Sequence, residues 1–278
     1  MCPAAKCMRS LNEMNEDRII KYITLTLIDS MGPVSQNAIL DICGDIEKCF
    51  EMEKEEIVKR DEYHRVGEKR TATFISQRND PLIRNRAKEI YDAAVATGIS
   101  IVTRENTVFP KRFLGLPDLP ILLYTKGNLR INEFRDSAGI VGARRCSLEG
   151  KEKAIETALV AVHDGYAVIS GMAKGIDSYA HTAVLKARGY TIAVLGNGVD
   201  ICYPNEHDRL YMEIAKFGCI LSEYPPGTPP KEYLFPRRNR LIAALSDVLY
   251  VVDAGRNSGT TTTVESAVKY GRKVVYRS

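Results

Sequence analysis

From residue 99 onward, short unbroken apolar runs alternate with amphipathic helical stretches, and this alternation limits the fold more than any other feature of the chain. The runs are Ile99–Thr103, Ile121–Thr125, Gly139–Gly142, Ala167–Ser170, Thr191–Leu195, Cys219–Ser222, Val248–Asp253 and Lys273–Tyr276. They lack the apolar–polar alternation of a half-exposed sheet, so both sheet faces are expected to lie under helices. Helices are predicted near 148–164, 176–187, 206–216, 238–245 and 261–270. Ile155, Ala158, Leu159 and Val162 place one apolar stripe on the first of these. Ile176, Ala180, Ala183, Val184 and Ala187 do the same for the second. Strands and helices in alternation imply a parallel sheet with right-handed crossovers, a Rossmann-like α/β domain.

The first 80 residues have a different texture, rich in Glu, Lys, Met and Arg with apolar residues at helical spacing. Asp17–Ile28 reads as a helix. A turn at Ser30-Met31-Gly32-Pro33 follows, and Ser35 is placed to cap the next helix, with Ile39, Leu40 and Ile42 facing inward. A third helix is expected over Glu53–Arg60. The charged segment Asp61–Asp80 reads as a linker, or as a helix end followed by a loop. Ala87, Ile90, Tyr91 and Ala94 then mark a helix that ends at Gly98. The division is therefore a small helical domain with its linker over 1–80 and an α/β domain over 81–278.

The net charge of +4 permits a polyanionic partner without requiring one. Apolar runs fall well short of the roughly 18 residues a membrane helix needs, so no membrane association is expected. Met1–Ser10 holds no apolar signal core, which favours a cytoplasmic protein. The seven cysteines, Cys2, Cys7, Cys43, Cys49, Cys146, Cys202 and Cys219, are odd in number and form no C-x-x-C. Reduced thiols fit that pattern, and their spacing matches no standard zinc site. No bound metal or cofactor is expected.

In an open parallel sheet, ligands bind beyond the carboxyl ends of the strands. Five such ends carry turns suited to phosphate. The first is Gly142-Ala143-Arg144-Arg145, where a tight turn presents two guanidinium groups. The second is Ser170-Gly171-Met172-Ala173-Lys174-Gly175, a glycine turn leading into a helix, whose backbone N–H groups form a candidate anion site. It lacks the spacing of a Walker loop or of G-x-G-x-x-G. The third is Gly196-Asn197-Gly198. The fourth is Phe235-Pro236-Arg237-Arg238-Asn239-Arg240, in which three arginines crowd a helix start and call for an anion. The fifth is Asn257-Ser258-Gly259-Thr260, rich in hydroxyl donors ahead of a helix. Taken singly, each turn is matched by a purely structural reading. Taken together they outline one groove. Tyr203, Tyr224 and Phe235 are candidate stacking residues, with burial the alternative for Phe235. His181 reads as a packing residue rather than a catalytic one. Without a nucleophile–base pair or a metal cluster in the sequence, the groove is expected to bind rather than to catalyse.

In this order the segments resemble the DNA-processing protein A (DprA/Smf) family. The likeness rests on Gly142-Ala143-Arg144, Ser170–Asp177 with Ala180-His181, Ala193–Asp200 with Tyr203-Pro204, Ser222-Glu223, Phe235–Ile242 and Ser258-Gly259-Thr260. It extends upstream through Phe109-Pro110 and Leu123–Asn128. It covers about residues 85–276, and 17–60 more loosely. The resemblance implies an extended Rossmann domain preceded by a small SAM-like or helix-hairpin-helix-like domain. It also implies single-stranded DNA binding, a homodimer, and loading of the RecA recombinase during natural transformation. Arg144 is then expected to grip the DNA backbone, followed by Lys174 and the arginines of 237–240. Three positions depart from the family pattern. Asn205 stands where a basic residue is common, the Ser30–Pro33 turn lacks a hairpin's two glycines, and the sequence ends without the family's usual Pro-Gly or the winged-helix domain some members carry, which fits either a short member or a truncated chain. Two other readings remain open from the sequence: a nucleotide-processing enzyme of the phosphoribohydrolase type, faintly echoed by Asn257–Thr260 with Glu265, and a small-nucleotide sensor.

Overall fold

The computed structural model describes residues 16–253 and 259–277. They form two compact units. The first runs to Thr107 and includes Gly115–Leu123; the second holds Val108–Leu114 and the chain from Tyr124 onward.

The first unit contains α1 (Glu16–Leu27), α2 (Pro33–Cys43), α3 (Ile46–Glu51), α4 (Lys54–Arg60), α5 (Glu68–Gln77), α6 (Pro81–Ala96) and strand β1 (Ser100–Thr103). Its core holds Ile19, Ile23, Ile39, Ile46, Ile57 and Phe74. Two expectations need correction here. Ser35 is not a cap: it lies buried inside α2, which opens at Pro33 behind Gly32. Proline suits a first helical position because its missing N–H has no helical partner there. The segment 61–80 is not a linker either. The Asp61 carboxylate accepts the N–H groups of Arg65, Val66 and Gly67 at 2.8–3.0 Å, which folds the chain into α5. Helix α5 buries Thr71 and Phe74, the latter edge-on to Phe50 at 6.2 Å. Burial of one such phenylalanine contributes about 1.5–3 kcal/mol, enough to anchor a helix whose other faces are charged. The expected boundary at 80/81 falls inside this unit, because α6 packs on α1 through Ala87, Ile90 and Ala94.

The remaining elements are β2 (Leu122–Gly127), β3 (Ser137–Gly142), α7 (Leu148–His163), β4 (Ala167–Ser170), α8 (Ile176–Lys186), β5 (Thr191–Val194), α9 (Asp208–Phe217), β6 (Cys219–Ser222), α10 (Leu234–Leu245), β7 (Val248–Val252), α11 (Thr261–Lys269) and β8 (Lys273–Arg277). The strand order from β2 onward is β2-β6-β5-β4-β3-β7-β8. From β6 to β8 every pairing is parallel. Strand β2 departs from the expected parallel arrangement: it pairs antiparallel with β6, Tyr124 opposite Ser222, so the sheet is mixed.

The chain winds outward from β3 through β4 and β5 to β6, then returns to lay β7 on the other side of β3. With right-handed crossovers, that reversal puts α7–α9 on one face and α10 and α11 on the other. Ala154, Ala158, Ile176, Ala180 and Val184 fill the first layer against β3, β4 and β7. Leu241–Leu245 of α10 are buried in the second. The reversal also opens a crevice beyond the ends of β3 and β7, the place where such folds bind ligands.

Candidate nucleic-acid interface

A cavity of about 560 Å³ occupies that crevice. Its walls include Gly142, Ala143, Arg144 and Arg145 after β3, Arg238 and Asn239 of α10, and Gly259 and Thr260 before α11. A second cavity of about 390 Å³ shares Arg144, Ala173, Glu232, Phe235 and Arg238 with it and continues toward Lys174, Tyr203 and Pro204. The two form one groove within the second unit.

The turn after β3 presents its cations but not its helix end. Ser147 caps α7 by accepting the Gly150 N–H at 2.9 Å. Asp253, at the end of β7, accepts the Ser147 N–H at 2.6 Å and its hydroxyl at 3.1 Å. The positive end of α7 is thus answered by a carboxylate of the chain itself. Arg144 and Arg145 are exposed, and neither has an ion-pair partner among the described residues.

The turn after β4 is also satisfied internally. Asp177 Oδ2 accepts the N–H groups of Gly171 and Ala173, each at 3.2 Å. The backbone anion site expected at this turn is therefore already occupied. Burial pushes the Asp177 carboxyl up, against the lowering effect of Arg238 and the two N–H donors. Ser170 is buried and donates to the Ile140 carbonyl at 2.6 Å. Gly175 has φ of 77°, and a Cβ there would stand 2.3 Å from the Ala143 carbonyl oxygen, so only glycine fits. Lys174 is exposed but ion-paired with Glu206, which lowers the glutamate's pKa.

Gly196 and Gly198 are buried and lie outside both cavities. Asn197 holds their turn by donating to the carbonyls of Gly198 at 2.9 Å and Ile201 at 2.7 Å.

The arginines at the start of α10 take three different roles. Arg237 is exposed, stands over the Tyr233 ring at 5.4 Å and lines neither cavity. Arg238 is 5% exposed, and its guanidinium donates to the carbonyls of Gly171 and Val194. Desolvation pulls its pKa down to about 10. Arg240 pairs with Glu223 away from the groove, both side chains largely buried. Asn239 donates to Thr262 Oγ1 at 2.8 Å and to the Gly259 carbonyl at 3.2 Å, which ties α10 to the start of α11. Gly259 is exposed and Thr260 is buried in the cavity wall. Asn257 and Ser258 lie outside the described residues.

Tyr203 and Phe235 stack at 5.5 Å with 26° between their planes, and both line the smaller cavity. Tyr203 is 44% exposed, so its ring is only partly covered by Phe235 and the surrounding chain. Phe235 is half-buried and Tyr224 lies outside both cavities. His181 is sealed in the interior. Thr191 Oγ1 donates to the Val168 carbonyl, so it accepts from His181 Nδ1 at 2.7 Å. Burial pulls the imidazole pKa down to about 3, which keeps it neutral. Two positions of the groove carry no readable role in the sequence. Asp177 was visible in its motif, but nothing showed that it fills its own turn. Glu232 lines both cavities and left no signal beyond an acid just ahead of the arginine cluster.

Fold and groove together define a Rossmann-type α/β protein with an arginine-bearing crevice at its topological switch point. The DNA recombination-mediator protein A family model matches residues 100–277, and the chain belongs to that family. It is 43% identical over 157 residues to DNA processing protein DprA of Streptococcus pneumoniae, covering 56% of this chain and 55% of that one. It is 34% identical over 177 residues to the Bacillus subtilis protein of the same name, covering 64% and 60%. The chain thus spans about half the length of the curated relatives it matches. Among solved structures, DNA processing protein A of S. pneumoniae superposes with a TM-score of 0.74 at 30% identity, over 92% of this chain and 86% of that one. DNA processing protein A of Helicobacter pylori, whose structure concerns a single-stranded DNA binding mode, gives 0.59 at 31% identity over 64% and 80%. Among the described residues, no helix is long and apolar enough to cross a membrane.

Proposed function

We propose that the crevice binds the backbone of single-stranded DNA and that the protein, as a cytoplasmic homodimer, presents that DNA to the RecA recombinase. One observation carries the binding step. Arg144 lines both cavities, is exposed and keeps its charge unpaired among the described residues, and it shares the smaller cavity with the partly exposed Tyr203 ring. A guanidinium can clamp phosphate with two hydrogen bonds, while an aromatic face stacks on any base. A duplex hides its base faces, so the aromatic platform favours single strands. The family's place in DNA recombination and the single-stranded DNA binding of the H. pylori relative support the same reading. Binding rather than chemistry is the proposal, since the motif's histidine is neutral, buried and outside the groove.

The test is fluorescence anisotropy with a labelled mixed-sequence oligonucleotide, titrated at several salt concentrations and competed with duplex. Single-strand preference with a log–log salt slope of roughly −2 to −4 is expected, corresponding to about three to five phosphates. Folded protein that binds no oligonucleotide at low salt would overturn the proposal. RecA delivery is tested separately, by strand-exchange assays on DNA coated with single-strand-binding protein.

A further inference from the structure

Glu232 is the position in the groove that phosphate binding leaves unexplained. Glu232 lines both cavities alongside Arg144 and Phe235. It is exposed, and among the described residues it has no hydrogen-bond or ion-pair partner. The other acids near the groove are committed: Glu206 to Lys174, Asp177 to two backbone N–H groups, and Asp253 to Ser147. A free carboxylate repels phosphate, so it weakens a groove that holds only backbone. It strengthens one that also holds the donor edge of a base.

The smaller cavity supplies the rest of such a site. Tyr203 and Glu232 line the same smaller cavity, so a base stacked on the partly exposed Tyr203 ring would lie beside Glu232. An ionised carboxylate accepts hydrogen bonds and donates none. Cytosine N4 and adenine N6 are amino donors and meet it with a charge-assisted bond. Thymine and uracil carry a carbonyl oxygen at the corresponding position, and their single N3–H sits between two acceptors that repel the carboxylate.

We propose that Glu232 selects for bases whose exocyclic amine sits at C4 of a pyrimidine or C6 of a purine, so that the groove prefers cytosine and adenine over thymine and uracil. This rests on the single-stranded DNA reading above. Sequence preference in a loading protein then arises at one stacked base, while the phosphate contacts stay indifferent to sequence.

The probe pair is oligo-dC and oligo-dU, each about twelve nucleotides long to match a typical single-strand site. The two differ in the group at C4 and the proton at N3, and share their backbone. Anisotropy titrations at one fixed salt concentration are run on the wild-type chain and on Glu232→Gln. The wild type is expected to favour oligo-dC by about five-fold, the low end for one base contact. In Glu232→Gln the preference falls below about two-fold, chiefly through gained affinity for oligo-dU, because an amide both donates and accepts. Equal tightening on both oligonucleotides would show general charge repulsion and overturn the proposal, as would a wild type without preference. Folded wild-type protein that binds neither oligonucleotide would instead remove the single-strand reading itself. Glu232 is exposed, so the variant is expected to fold, which circular dichroism checks.

Discussion

The guanidinium of Arg238 lies against the α-carbon of Gly171 and donates a hydrogen bond to its carbonyl oxygen. It thereby locks α10 onto the turn after β4. A charge held this way is spent on backbone oxygens that would otherwise be buried without partners. Arg238 positions the floor of the groove, whereas Arg144 at its rim is free to meet a ligand.

This arrangement is sensitive from both sides. A Cβ on Gly171 would stand 2.5 Å from Arg238 Nη1. Gly171→Ala is expected to destabilise the protein by about 1–3 kcal/mol, the usual cost of overpacking. Arg238→Met removes the donor from two buried carbonyls and is expected to cost at least ~2 kcal/mol. Urea denaturation measures both. A stability change below about 0.5 kcal/mol, the size of an ordinary surface substitution, would mean that Arg238 is not held as described.

Arg144→Ala is expected to leave stability nearly unchanged, since the side chain is exposed and unpaired. It should weaken single-strand binding by about ten-fold or more and flatten the log–log salt slope by about 0.7, one phosphate's share. Salt-series anisotropy reads both quantities. An unchanged slope would place the phosphate contact elsewhere.

Glu206 holds Lys174 in an ion pair, so on the proposed reading it would compete with phosphate for that lysine. Both side chains are more than half exposed, so the pair opens readily. In Glu206→Gln the freed lysine is expected to tighten single-strand binding by about two- to five-fold at low salt, with a slope steeper by up to about 0.7. The gain should vanish at high salt. A gain that persists there would show that the pair does not act through charge.

His181 gives the fold an acid limit. Its imidazole binds a proton near pH 6.5 when unfolded but only near pH 3 when folded. Below pH 6.5 the unfolded state therefore holds more protons, and stability falls as pH drops toward 3. The slope from this one group approaches about 1.4 kcal/mol per pH unit. Asp177, raised by burial, acts in the opposite sense, so the comparison must be between variants. Denaturation midpoints between pH 6.5 and 4 should decline more steeply in the wild type than in His181→Asn. Parallel declines would remove His181 as the cause.

Much of this molecule was legible before folding. The apolar runs Ala167–Ser170 and Thr191–Leu195 are strands β4 and β5, because an unbroken apolar run needs cover on both faces and a parallel sheet supplies it. The segments carrying Arg144, Gly171, Arg238 and Thr260 meet in one groove because they follow strands or open helices at the same edge of the sheet. Helix α5 was not legible. Its exposed charges hide the period of the two residues it buries, and the Asp61 carboxylate that folds the preceding loop has no local signature. The antiparallel pairing of β2 was equally silent, since a short apolar strand reads the same in either direction.

What the sequence determined by itself was periodicity, and with it the Rossmann-like order of elements and the edge of the sheet where a ligand can sit. These follow from spacing along the chain. Only the tertiary structure decided which cations and N–H donors remain available there. Arg238 was taken by Gly171 and Val194, Arg240 by Glu223, Lys174 by Glu206, and the turn after β4 by Asp177, which left Arg144, Arg145 and Glu232 open. The reason is physical: charge pairing depends on separation in space, and most of these partners stand far apart along the chain.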